Sequence, residues 1–180
     1  MAEVILITKA DFDGEIGLTQ NIVNDKILLP FIKQAQRFDL KNRLGAAFYQ
    51  DVMTNSLTYT AILDGVTYTN STPETIHFNG VRAALCHYTY ARYILESNAV
   101  NTPFGTRQKS NEVSEPVSDK MLAQIAANHF NIAESLMNDV ERYLNDPTII
   151  NTYPIWRNSG LSECESARSG RTKLFKVSKV

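Results

Sequence analysis

Apolar residues recur along most of this chain at intervals of three and four, the spacing that gathers them on one face of an α-helix. Ile27, Leu28, Phe31, Ile32, Ala35 and Phe38 form one such face, and Leu44, Ala47, Phe48 and Met53 another. Asn24 or Asp25 is placed to cap the first helix and Asp39 the second, with Pro30 in an early turn where a missing N–H is tolerated. Gly45 and Ala46 are small enough to permit close packing. Val81, Ala84, Leu85, Tyr88, Ala91, Arg92 and Leu95 make the clearest stripe, which Tyr90 and Ile94 broaden. The last long helix starts from an N-cap at Ser118 and runs to about Asn145, before Pro147. Its buried side is Leu122, Ile125, Ala126, His129, Ile132, Ala133, Leu136, Met137 and Val140.

Elsewhere the period changes. Residues 4–7 are a short β-prone run, after which Thr8 and Asp11 have the spacing of a capping box. Gly14 and Gly17 make the segment that follows irregular. Residues 56–79 admit two readings. In one, 57–63 and 66–69 form a hairpin through Asp64-Gly65. In the other, preferred here partly for a resemblance given below, 57–64 end a helix with Gly65 just past it, and 66–69 pair with 75–78 through a turn at 70–73. Residues 99–116 carry Pro103, Gly105 and Pro116 and are expected to be a polar loop. The predicted architecture is therefore mainly α. It is a bundle of four to five helices over residues 1–146, with a small β-hairpin insertion near 66–78. Residues 147–180 lack a helical period and are expected to form an extended C-terminal arm.

At 180 residues the chain suits one domain with an ordinary core. No stretch reaches the roughly 20 apolar residues of a membrane span, and residues 4–7 are too few for a signal peptide, so folding in a cytoplasm is expected. Cys86 and Cys164 are far apart and are expected to be reduced, small apolar residues. The net charge of −1 does not indicate a broad nucleic-acid surface, but it is unevenly spread. Residues 157–180 hold six basic and two acidic residues, leaving the body mildly acidic. Residues 112–146 hold seven acidic residues against Lys120 and Arg142, either a solvated helix face or a wall that repels passing DNA.

Motifs with catalytic or ligand chemistry are few. His77, His87 and His129 belong to no zinc-binding spacing and read as surface or partly buried histidines. Cys86 and His87 are adjacent, so on a helix they point about 100° apart and do not form a nucleophile–base pair. Asp11/Asp13 and Asp139/Glu141 likewise fall on different helix faces. Neither a phosphate-binding loop nor a nucleophile elbow is present. No enzyme activity, cofactor or metal is expected. Tyr88, Tyr90 and Tyr93 read as packing residues, since no basic groove accompanies them. Tyr153-Pro154-Ile155-Trp156 is too apolar for a free tail, so it either folds back on the core or docks on a neighbour.

Three segments carry a resemblance. ILLPFIKQAQRFDLKNRLGAAFYQDV, ILDGVTYTNSTPETIHFNGVRAALCHYTYARYI and NTPFGTRQKSNEVSEPVSDK, in that order and followed by a long helix, are similar to a head–tail connector family. This is the portal-proximal ring or adaptor protein of crAss-like and related tailed bacteriophages, and the likeness covers about residues 5–156. The resemblance implies a structural virion protein. Such a subunit assembles into a ring, commonly of twelve copies, that joins the portal to the tail and lines the DNA exit channel. By position, Gly80 and Ala91 fall in a packed helix, Thr102-Pro103-Phe104-Gly105 in the inter-helix loop, and Tyr153-Pro154-Ile155-Trp156 at the start of the arm.

The partners implied are other copies of itself, the portal protein and other tail or ring proteins. Packaged DNA would pass without sequence-specific binding, and no membrane is involved. The expected location is the virion's head–tail interface, with host cytoplasm during assembly. The arm residues expected to grip a partner are Tyr153, Pro154, Ile155, Trp156, Arg168, Arg171, Lys173, Phe175 and Lys176. Glu112, Glu115 and Asp119 are candidates for the channel wall. The competing expectations are another virion ring or tail-completion protein, and a cytoplasmic helical regulator that binds DNA through its basic tail.

Overall fold

Thr8 and Asp11 fix where the first helix begins. The Thr8 hydroxyl accepts from the Asp11 N–H while the Asp11 carboxylate accepts from the Thr8 N–H, the reciprocal cap that their spacing predicts. This structure, a computed structural model, describes residues 4–17, 25–96, 99–102, 105–108, 117–159 and 161. Helix α1, Lys9–Ile16, buries only Phe12 and stops at Gly17, whose left-handed φ of 67° lets its N–H reach the Asp13 carbonyl.

Helix α2 spans Asp25–Gln34, with Leu28, Phe31 and Ile32 inward. Pro30 lies in its interior rather than in an early turn, and removes the donor that the Lys26 carbonyl would otherwise receive. Nor does Asp39 start a new helix. The chain widens into a π-helical turn, Ala35–Leu40, and passes directly into α3, Lys41–Leu44. That wider turn changes which residues face the core. Phe38, expected inside from its spacing, is 58% exposed, with the Arg92 guanidinium over its ring, while Gln36 is fully buried. The Gln36 amide accepts from Leu6 N–H and donates to the Val4 carbonyl, tying down the N-terminal segment. Asp39 receives two 2.7 Å hydrogen bonds from Arg92. Ile27 is also exposed, lying off the line of Leu28, Ile32 and Ala35. The Asn24 cap falls outside the described residues.

Gly45, at φ 73°, breaks the chain between α3 and α4, Ala46–Thr54. There Phe48, Tyr49, Val52 and Met53 face inward and Ala47 is exposed, contrary to its expected place. A 3₁₀ turn, Ser56–Tyr59, leads into α5, Thr60–Asp64, which is the helical reading of this ambiguous stretch. Strands β1, Val66–Thr69, and β2, Thr75–Phe78, then pair antiparallel, Val66 opposite Phe78 and Thr69 opposite Thr75. Gly65 and Gly80 sit back to back at the base of this hairpin, at φ 79° and 77°. A side chain on either would collide with the backbone around the other.

Helix α6, Gly80–Glu96, and helix α7, Asp119–Asn145, make the most extensive contact in the body. Ser118 caps α7 by accepting from the Met121 N–H. Phe78 meets Tyr143, Tyr88 meets Glu134 and Tyr90 meets His129, so the two helices run antiparallel. Leu95, expected on the buried stripe, is exposed near the C-terminal end of α6. Between them, where a loop is predicted, the backbone forms a second antiparallel hairpin of β3, Ala99–Thr102, and β4, Gly105–Gln108. Pro103 and Phe104 lie outside the described residues. Helices α1, α2, α4, α6 and α7 pack around one core, making the protein mainly helical with small β-hairpins.

The arm boundary moves. Residues 147–159 are a turn, a 3₁₀ segment at Ile150–Thr152 and the short helix α8, Pro154–Arg157, all packed on the body instead of extended. The part of the expected arm beyond Leu161 lies outside the described residues.

Candidate interaction surfaces

The YPIW segment is half core and half surface. Proline at the first position of α8 needs no N–H partner, so it starts a short helix that carries Trp156 inward. Trp156 is 1% exposed, packs against Phe48, and donates its indole N–H to the Asn145 side chain at 3.0 Å. Tyr153 is buried beside Phe48, Tyr59 and Tyr143. Burial holds the Tyr153 and Tyr59 phenols protonated; that of Tyr59, which also donates to Asp51, is pushed up to about 12. Tyr153 and Trp156 therefore bind the chain's own core in place of the docking role expected for them. Their chemistry allowed both outcomes, and the aromatic partners on α4 and α7 decide it. Pro154 and Ile155 remain outside. Leu161 is exposed and lies beside Gly45. Arg168, Arg171, Lys173, Phe175 and Lys176 lie outside the described residues.

The acidic stretch is largely occupied with its own body. Glu134 and Glu141 both face Arg43, at 3.2 and 3.0 Å, which ties α7 to α3. Asp139 pairs with Arg142 one turn on. Asp146 accepts from Ser71 and Thr148, clamping the first hairpin's turn. Burial disfavours its charge, but these bonds outweigh burial and hold its carboxyl below the usual range. Asp119 is exposed in the first turn of α7. Glu112 and Glu115 lie outside the described residues.

Two histidines meet. His87 and His129, 42 positions apart, bring their Nδ1 atoms to 2.9 Å, and His87 Nε2 lies 3.5 Å from a Glu15 oxygen. Sequence spacing alone does not reveal this pair. The available signal is that His129 belongs to the inner stripe of α7 and His87 neighbours the stripe residue Tyr88 on α6. His77 is exposed on β2 and bonds Thr67. Cys86 is buried, and burial pushes its thiol up to about 12, leaving it protonated. Among the described residues no three His, Cys, Asp or Glu side chains are grouped to hold a metal, and no helix is long and apolar enough to cross a membrane.

Exposed large apolar side chains occur at both ends of α7. A helix of 27 residues is about 40 Å long. At its N-terminal end Val117 and Met121 are exposed, level with exposed Leu95 at the close of the antiparallel α6. At its C-terminal end, around the Tyr143–Tyr153–Trp156 cluster, Leu57, Ile155 and Leu161 are exposed, Leu57 at 90%. An apolar groove of about 360 Å³ also lies between the N-terminal segment and α2, lined by Ile5, Ala10, Leu28, Leu29 and Ile32.

Residues 40–166 match a family of unknown function, DUF6712, and the chain belongs to that family. No curated protein and no solved structure matches the chain.

Proposed function

We propose that this member of the DUF6712 family is a structural virion subunit, one copy in a ring that joins portal to tail and through which DNA leaves the head. The reading rests on the similarity of its segment order to head–tail connector proteins. The observation that carries it beyond sequence is the exposure of apolar side chains at both ends of α7. A subunit standing between two assemblies needs an adhesive surface towards each, and the apolar side chains exposed at the two ends of α7 supply one candidate for each. Contacts repeated between unlike patches close into a ring when the rotation between subunits permits it. The basic segment after Leu161 is then read as a tether, which follows a body segment anchored by Trp156.

The test is to remove residues 162–180, which leaves every residue of the aromatic cluster in place, and to measure recruitment of the protein to portal-bearing heads. The truncated protein is expected to fold normally and to be recruited poorly. Undiminished recruitment overturns the tether. Absence of the intact protein from purified virions overturns the virion role itself. Tight DNA binding by the isolated protein, weakening steeply as salt rises, would instead favour a DNA-binding regulator.

A further inference from the structure

We propose that His87 and His129 form an acid-sensitive latch that joins α1, α6 and α7 by sharing a single proton between their Nδ1 atoms. This inference is independent of the virion role. The geometry identifies the contact. The ring centroids are 5.1 Å apart and the nitrogens 2.9 Å, so the difference is nearly two ring radii. The rings, inclined by 28°, therefore meet edge to edge with Nδ1 pointing at Nδ1, as in a hydrogen bond. A metal ion bound by both nitrogens would need them splayed around a common point, and two nitrogens in line at this distance leave no room for one.

One contact with two donor–acceptor atoms admits only certain protonation states. His87 Nε2 faces Glu15, so in the neutral pair it carries the hydrogen, and His87 Nδ1 offers its lone pair. His129 Nδ1 must then donate. A first added proton is tolerated: His87 becomes a cation held by Glu15, and its Nδ1–H donates to a neutral His129. A second proton puts two N–H groups head to head and two positive charges at one contact, so the bond between α6 and α7 is lost.

Among the described residues Glu15 is the carboxylate that meets the pair, and its one negative charge offsets one imidazolium but not two. From α1 the pair faces Glu15, with Asp11 further back towards Cys86; from α6 it faces Tyr90. From α7 the facing titratable group is His129 itself. Burial lowers the affinity of both imidazoles for protons, and at His129 the neighbouring His87 lowers it further. The sign follows from linkage. In the folded state both groups hold protons less well than the ordinary value of 6.5, so the unfolded chain takes up more protons below that pH. The latch stabilises the fold above about pH 6.5 and loses this contribution as pH falls through the lowered folded values.

Nitrogen NMR of the full chain at neutral pH tests the arrangement directly. His87 is expected as the Nε2–H tautomer and His129 as the Nδ1–H tautomer. Thermal midpoints measured from about pH 7.5 to about pH 4.5 test the consequence. His129→Gln keeps a donor towards His87 but cannot titrate, so its midpoint should depend on pH less steeply, by about one proton. Glu15→Gln should lower the pH at which the first imidazole titrates. The same tautomer at both histidines, with each titrating near its ordinary value, overturns the latch, as does an unchanged pH slope in His129→Gln. If that variant fails to fold, the wild-type tautomers alone decide.

Discussion

The two ends of α7 are built differently. At the C-terminal end, Tyr143 belongs to a cluster completed by Phe48 of α4, Tyr59 of the 3₁₀ turn, and Tyr153 and Trp156 beyond the helix. Distant parts of the chain converge there, and each removes the others from water. At the N-terminal end α7 packs chiefly on α6 through a simple stripe, and Met121 and Val117 are left exposed. The difference teaches where this protein stores stability. The first end locks the chain's course while Leu57, Ile155 and Leu161 stay exposed around it, and the second shows exposed side chains without such a lock among the described residues.

Breaking the locked end should have the largest effect. Trp156→Ala removes a large, fully buried ring packed on Phe48 and leaves the Asn145 side chain without its indole donor. It should cost about 4 kcal/mol, or roughly 10 °C in the thermal midpoint, followed by circular dichroism. A loss below about 1 kcal/mol would mean that α8 is an appendage and that the arm does begin near 147.

Gly65→Ala probes the hairpin base beside the same end. The added methyl meets the backbone at Phe78 and Asn79 in a left-handed conformation, so a cost of about 2–3 kcal/mol is expected. Denaturant titration would measure it.

The exposed residues should separate stability from assembly. Met121→Ser at one end and Leu57→Ser at the other should each change stability by no more than about 0.5 kcal/mol. Each should nevertheless weaken recruitment to portal-bearing heads in a co-sedimentation assay. If the two variants lose recruitment at different steps, one to the portal and one to the tail, the ends face different partners. Normal recruitment of both would remove the apolar ends from the proposed function.

Much of the fold was legible in local signals. The Thr8–Asp11 box, the Ser118 cap and the limits of α7 are each set by residues within a few positions of one another, whereas the local signals of residues 56–79 fitted two hairpins, of which the structure has the one that pairs 66–69 with 75–78. Where the local signal failed, a distant partner had intervened. Phe38 follows the period of its helix but not its burial, because Gln36 is drawn in by the N-terminal segment and Asp39 by Arg92. Tyr153 and Trp156 had equal chemical reason to dock inside or outside.

By itself, then, the sequence determined that this protein is mainly helical and which faces of α6 and α7 are buried, and it left two places open for the turn of its first hairpin. These depend on periodicity, caps and glycines, which act over one or two turns of chain. Only the tertiary structure decided that the YPIW segment closes the core, that most of α7's acids serve the body, and that His87 and His129 meet. Each of those joins residues far apart in sequence, and such contacts depend on how helices cross, which no local pattern encodes.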